Sequence, residues 1–332
     1  MNHDNQKTRR TTLKLLGSLT LASFSSQALS SAQDFPNRQV RIIGGLSAAG
    51  PADLATRIVA QALNQRLGQS FIAENRLGGG GAVAIQEVGR AAKDGYTLGA
   101  PTTGPLVILS KLQKQPFYQT LDIVTPISLI AAYPYAMVVR KDLPVNTVAE
   151  LIDYARKNPG KLSFGSGGIG TSNHLGMEWF KKLTGINVVH VPYKGDNDII
   201  ADLVGGRIDL AMNTPAVIAG HINSGRVKAL AVSSENRLST MPNLPTMIEA
   251  GVKGFVVEAY TVIVGPAGLP QDLLVKLNQE FNAVLRLPEV REKMAQLTMY
   301  PVIHSPESIR QFIEDQQNLW GSVIRDANIT LI

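Results

Sequence analysis

The chain has 332 residues, of which 44% are apolar and 6% aromatic, enough for one large or two medium globular domains with substantial cores. Its formal net charge of +6 is unevenly spread: Lys7, Arg9, Arg10 and Lys14 against Asp4 leave the first 32 residues at +3, and no basic run follows, which argues against nucleic acid as a partner. There is no cysteine, so disulfides, thiolate metal sites and cysteine nucleophiles are excluded.

At the N-terminus, Thr8-Arg9-Arg10-Thr11-Thr12-Leu13-Lys14 precedes an apolar run over 15–24 that is too short to span a bilayer. Ser30-Ser31-Ala32 supplies a small-x-small cleavage site, with Ser26-Gln27-Ala28 as a second. Residues 1–32 therefore read as a cleavable signal peptide. The paired arginines resemble a twin-arginine signal, from which Thr8 and Thr12 depart; an ordinary Sec signal is the alternative. Either route delivers a mature chain to the periplasm, where the lack of a further apolar span or lipobox cysteine predicts a soluble protein.

The mature chain alternates strand and helix patterns. Residues 39–44 form a first strand, and the loop from Gly45 to Asp53 leads into a helix over 54–67 with apolar residues at three- and four-residue spacing. Pro51 and Asp53 are start signals for that helix. Asp53 has two readings, a ligand-loop residue or a first-turn charge bonded to its own loop. A second strand (70–74) feeds the glycine loop 78–81 and a helix over 84–92. That loop can be forced into a dinucleotide fingerprint, but it follows the wrong strand and lacks the closing acidic residue. A third strand ends at Pro101-Thr102-Thr103-Gly104. Residues 117–126 read as irregular, and 127–139 as a long apolar stretch broken by Tyr133-Pro134-Tyr135. Helices and strands then alternate to residue 233, an apolar segment returns over 255–264, and three helical patterns close the chain.

The most informative stretch is Gly165-Ser166-Gly167-Gly168-Ile169-Gly170-Thr171-Ser172-Asn173-His174, between a short strand and a helix that Ser172 or Asn173 is placed to cap. Bare backbone, hydroxyls and a helix N-terminus make an anion receptor, because unpaired N–H groups and the helix dipole both point at the loop. The alternative is a plain connecting turn. A chain that crosses out near residue 136 and back near 256 predicts an α/β, two-lobed, periplasmic-binding-protein-like (type II) fold with two crossover strands and a cleft between the lobes. Lobe one takes 33–137 plus 256–332, and lobe two takes 138–255.

Read in order, the chain resembles the Bug-type receptors, the periplasmic solute-binding subunits of tripartite tricarboxylate transporters. The resemblance is carried by Gly50-Pro51-Ala52-Asp53 with Arg57, Asn75 with Gly78-Gly79-Gly80-Gly81, Lys93-Asp94-Gly95-Tyr96-Thr97-Leu98, Gly170-Thr171-Ser172-Asn173-His174-Leu175 with Glu178, His190-Val191-Pro192-Tyr193-Lys194-Gly195, Gly206-Arg207-Ile208-Asp209 and Pro266-Ala267-Gly268. It implies a closing receptor that grips a small carboxylate with backbone amides and hydroxyls. It further implies delivery to the membrane permease subunits of such a transporter; a sensor protein is the alternative partner. The implied ligand residues are Ser47, Ala48, Ala49, Gly50 and Asp53 on the first loop, Thr102 and Thr103 on the third, and Ser166, Gly168, Gly170, Thr171, Ser172 and His174 in lobe two. Asn213 joins them where the family usually has Asp, and Ala259 stands where a cleft tryptophan is common.

Catalysis finds little support. No Gly-x-Ser-x-Gly elbow occurs, the histidines lack clustered acidic partners, and His174 with Glu178 is at most half a metal site. The expectation is a monomeric binding protein with no cofactor, no metal and no catalytic residue. A ligand sensor is the first alternative and a secreted hydrolase or isomerase the second.

Overall fold

The computed structural model describes residues 35–46, 48–112, 119–193, 195–326 and 329. The signal-peptide expectation over 1–32 and the positions Ser47 and Lys194 lie outside the described residues.

Two five-stranded sheets, each covered by helices, form the α/β architecture. In chain order the first sheet contributes β1 (Val40–Gly44), β2 (Phe71–Asn75), β3 (Thr97–Ala100) and β4 (Val124–Pro134). The second is built from β5 (Ala136–Arg140), β6 (Ser163–Ser166), β7 (Val189–Pro192), β8 (Leu210–Asn213) and β9 (Val227–Val232), after which β10 (Glu258–Pro266) returns to the first. The strand orders are β2-β1-β3-β10-β4 and β7-β6-β8-β5-β9. The two follow one plan. In each, one parallel strand is flanked by two others, β1 by β2 and β3, β6 by β7 and β8; an antiparallel strand arriving from the other sheet, β10 or β5, comes next, and β4 or β9 forms the edge. Only Tyr135 separates β4 from β5, so one nearly continuous segment serves both sheets. Ser233, at the end of β9, stitches the two crossings together: its hydroxyl accepts from Tyr135 N (2.8 Å) and donates to the Val257 carbonyl.

The helices are α1 (Pro51–Leu67), α2 (Ala82–Gly89), α3 (Leu109–Leu112), α4 (Thr120–Ile123), α5 (Val148–Lys157), α6 (Ser172–Thr184), α7 (Asp196–Val204), α8 (Pro215–Asn223), α9 (Gln271–Leu285), α10 (Pro288–Gln296) and α11 (Pro306–Asp326). Their ends follow local chemistry. Pro51 opens α1, and Gly68 closes it in the left-handed region (φ 67°). Thr147 caps α5 by accepting from Glu150 N at 3.1 Å while the Glu150 carboxylate accepts from Asn146 N, a reciprocal arrangement close to a capping box. The segment expected to be irregular before residue 126 is more ordered where described, with α4 leading directly into β4 at Val124.

The apolar core runs through both sheets. Its larger part joins β1, β3, β4 and β10 to α9 and α11 and continues through Phe164, Leu175, Phe180 and Phe255; a smaller cluster lies under α7 around Ile199, Leu203 and Ile208. The continuity comes from an aromatic seam in which Trp179 of α6 meets Trp320 of α11 edge-on at 6.0 Å and Phe255 at 5.3 Å. Lys182 of α6 also pairs with Asp326 of α11.

Candidate functional site

Helices α1 and α6 start at the carboxyl ends of β1 and β6, the middle strands of the parallel trio in each sheet. Neither N-cap, Gly50 or Thr171, makes a side-chain capping bond. The first N–H groups of a helix have no intrahelical acceptor, so each start presents donors and the positive end of a dipole. The two are linked through space by close backbone packing. A methyl on Gly45, before α1, would lie 2.6 Å from Gly81 Cα. One on Gly81 (φ 99°) would lie 2.8 Å from Pro105, and one on Gly104 would lie 3.3 Å from the Gly170 carbonyl. The four-glycine loop after β2 thus lets the loops of the first sheet close up against the β6–α6 loop; it packs backbone and has no dinucleotide geometry.

On the first loop Ala49 holds φ 61°, left-handed despite its methyl group. Its N–H donates to Asp53 Oδ2 (2.9 Å), which also accepts from Arg57 Nε (2.9 Å). Asn75 completes the brace, accepting from Arg57 and donating to the Leu46 carbonyl at 2.9 Å. Burial works to raise the Asp53 pKa, but the bonds from Arg57, Ala49 and Asn75 outweigh it and hold the carboxyl below its ordinary value. Of the two readings of Asp53, the local one matches this geometry: its charge is spent on its own loop. Ala48 and Gly50 keep N–H groups without a partner among the described residues.

The β6–α6 loop spends its polar groups in a similar way. Ser166 Oγ meets His190 Nε2 at 2.6 Å and accepts from Gly168 N (3.2 Å). Thr171 Oγ1 donates to the Gly168 carbonyl and approaches Asn173 Oδ1, both at 2.7 Å. Asn173 Oδ1 also accepts from Gly167 N at 3.4 Å. The cap expected from Ser172 or Asn173 is therefore made by neither; Thr171 is the N-cap, because Asn173 reaches back to order the loop. Gly170 (φ 84°) donates its N–H to His174 Nδ1 (3.3 Å), and a methyl there would lie 2.9 Å from Leu112 of α3. His174 and His190 pack with centroids 4.1 Å apart and planes tilted by 32°, each stacked with Phe164. Burial, with the neighbouring His190 and Lys181, pushes the His174 pKa down to about 3; burial and Lys181 push His190 down to about 4. Both rings are neutral near pH 7 and brace the loop from beneath. What the loop leaves unpaired among the described residues are the N–H groups of Ile169, Ser172, Asn173 and His174.

Thr103 and Asn213 are bonded within the scaffold. Thr103 Oγ1 accepts from Tyr260 N at 3.0 Å, pinning β10 to the end of β3. Asn213, fully buried, accepts from Thr214 N (2.8 Å) and donates to the Asp196 carbonyl (3.4 Å). Thr102 bridges Thr261 across the same strands. Glu178, half of the weighed metal pair, is bonded to Lys181 at 2.7 Å, and no group of three ligating side chains occurs among the described residues.

Sequence reasoning missed several groups. Tyr133 sits opposite Ala259 on the crossover strands, so its ring stands beside the position where a tryptophan is common, while Tyr260 packs against Phe312 of α11. The Tyr133 hydroxyl lies beside Thr261 and that of Tyr135 beside Ser172, and burial raises the pKa of both phenols. The Thr214 hydroxyl is buried with no hydrogen-bond partner among the described residues. The interruption Tyr133-Pro134-Tyr135 was the visible signal for two of these. Ser166 and His190 also come together although their spacing along the chain does not suggest it. The reason is strand register: β7 runs parallel to β6 and sets His190 beside Phe164, two residues from Ser166. As a base, however, His190 is weakened by burial, and no carboxylate orients its ring among the described residues.

The family profile described as Tripartite tricarboxylate transporter family receptor matches residues 55–329. Protein BugT of Bordetella pertussis is 32% identical over 91% of this chain and 93% of its own length. The solved structure of R. palustris Rpa4515 with adipate superposes with a TM-score of 0.84 at 31% identity, covering 90% of this chain and all of that one. That of MatC from Rhodopseudomonas palustris with bound malate gives 0.79 at 27% identity, covering 87% of this chain and all of that one. With a profile match over most of its length and relatives of this similarity, the chain belongs to the tripartite tricarboxylate transporter receptor family.

Proposed function

We propose that the protein is a periplasmic receptor that captures a small organic carboxylate between two lobes and delivers it to the permease of a tripartite tricarboxylate-type transporter. The observation that carries this reading is the pair of helix starts without side-chain caps, at α1 and α6, on loops that close against one another. Unpaired amides at the positive end of a dipole favour a carboxylate and offer nothing that forms or breaks a bond. Relatives with bound adipate and malate support the ligand class. The lobes are 33–137 plus 256–332 and 138–255, with Ser233 clamping the crossings between them, and the receptor acts as a monomer without catalysis.

Within the site, the ligand contacts are the amides of Ala48, Gly50 and Ser172 to His174, with Thr102 and the phenols of Tyr133 and Tyr135 alongside. Asp53, Ser166, Gly168, Gly170, Thr171, Thr103, Asn213 and the His174 ring hold those amides in place. A ligand that binds only the folded, closed state raises stability by about 2.7 kcal/mol at one hundred times its Kd. A thermal-shift panel of mono-, di- and tricarboxylates, amino acids and aromatic acids tests this. A rise in midpoint with a carboxylate supports the reading; no response to any of them refutes it.

A further inference from the structure

Helix α7 opens with two carboxylates in its first turn, Asp196 and Asp198. Asp198 is exposed and suffices as the negative charge that a helix N-terminus favours. Asp196 is placed differently. Its side of the helix is partly buried, and its backbone carbonyl accepts from Asn213 Nδ2, which ties the start of α7 to the carboxyl end of β8. No hydrogen bond or ion pair among the described residues engages its carboxyl group, and burial alone pushes the pKa up to about 6.

What faces this carboxyl comes from the strand crossing. Its charge is felt at the hydroxyls of both Tyr133 and Tyr135. The Tyr135 hydroxyl in turn lies beside Ser172, the first residue of α6. Hydrogen bonds fix the same neighbourhood: β8 pairs with β6, Asn173 of the β6–α6 loop donates to the Met212 carbonyl (3.4 Å), and the adjacent Asn213 holds the Asp196 carbonyl (3.4 Å), so Asp196 borders one of the two amide clusters assigned to the ligand's carboxylate. An unpaired carboxylate beside an anion site repels a plain dianion. It attracts a ligand whose positive charge sits one or two bonds from its own carboxylate.

We propose that Asp196 is a specificity-determining residue that receives an ammonium group of the ligand, so that the receptor's ligand class is an amino-carboxylate. This rests on the carboxylate-receptor reading above. The carboxylate binds the amides at the helix start, and the ammonium binds Asp196, with the two phenols closing the pocket around it. The interaction is noncovalent; no proton or bond needs to move.

The test is isothermal titration of wild type, Asp196→Asn and Asp196→Glu at about pH 7.5 with matched pairs: aspartate against succinate, glutamate against glutarate, and phenylalanine against 3-phenylpropionate. Far-UV circular dichroism confirms folding of each variant. In the pair that fits the pocket, the amino-carboxylate should bind wild type about tenfold or more tightly than its plain partner. Asp196→Asn should remove most of that preference, and Asp196→Glu should retain part of it. A wild type that prefers the plain partner, or an unchanged preference in Asp196→Asn, overturns the assignment while leaving the carboxylate reading standing. If no member of any pair binds wild type, the amino-carboxylate assignment is overturned, and the thermal-shift panel decides the carboxylate reading separately.

Discussion

The paired histidines beneath the β6–α6 loop predict an acid sensitivity that can be assigned to them. His174 and His190 are held neutral in the folded protein, with pKa values pushed down to about 3 and about 4, against about 6.5 in an unfolded chain. A depressed histidine leaves the unfolded state binding more protons, so stability is complete above about pH 6.5 and falls as pH drops towards the folded values. Between about pH 7.5 and 5 a fully buried histidine so shifted costs about 2 kcal/mol. His190 is only partly buried, so the pair together contributes about 3 kcal/mol. Asp196 works in the opposite sense. Its raised pKa means the folded state gains a proton as pH falls through about 6, which stabilises by about 1 kcal/mol over the same interval. The lowered carboxylates Asp53 and Glu74 act only below this window. The partly buried Glu258 carboxyl, its pKa also raised by burial, acts in the same sense as Asp196, so urea unfolding at about pH 7.5 and 5 should show a net loss of up to about 2 kcal/mol in wild type. His174→Asn, which keeps an acceptor for the Gly170 N–H, should remove most of that loss. A pH dependence in His174→Asn that matches wild type would refute the claim that these buried rings carry it.

Three further outcomes follow from the same contacts. Asp53→Ala strips the Ala49 N–H and Arg57 of their acceptor and should destabilise by about 1–3 kcal/mol in urea unfolding, with weaker carboxylate binding; Asp53→Asn should lose less. Gly170→Val places side-chain atoms against Leu112 at a left-handed φ and should abolish ligand-induced thermal stabilisation while the far-UV circular dichroism stays native. Trp320→Ala removes a fully buried ring from the seam between α6 and α11 and should cost about 3–5 kcal/mol, measured by denaturant midpoint.

The fold was legible because its periodicities are strong and its boundaries are marked. Pro51, Gly68, Gly185 and Pro215 sit where helices begin or end, and the crossing strands betray themselves as one apolar stretch interrupted at Tyr133-Pro134-Tyr135. The loops that matter were legible for a related reason, since a strand that dissolves into glycine and hydroxyl residues before a helix exposes amides whatever their ligand. Which atoms remain available was not legible. Asn213, Thr103 and Ser166 looked like ligand groups by type and position, yet each finds a partner that strand order brings in from far along the chain: Asp196, Tyr260 and His190. Conversely, nothing local in the sequence marks Asp196, whose place beside the end of β8 is set by its carbonyl's bond from Asn213.

In this receptor a carboxylate is proposed to be held by the amides at two helix starts. Amide-resolved NMR during titration with a carboxylate that raises the thermal midpoint tests it most directly. The largest shifts are expected at the N–H groups of Ala48, Gly50, Ser172, Asn173 and His174, with Gly170 and Ala49, already bonded to His174 and Asp53, moving less. Saturable shifts that leave both loops unmoved and cluster elsewhere would contradict it.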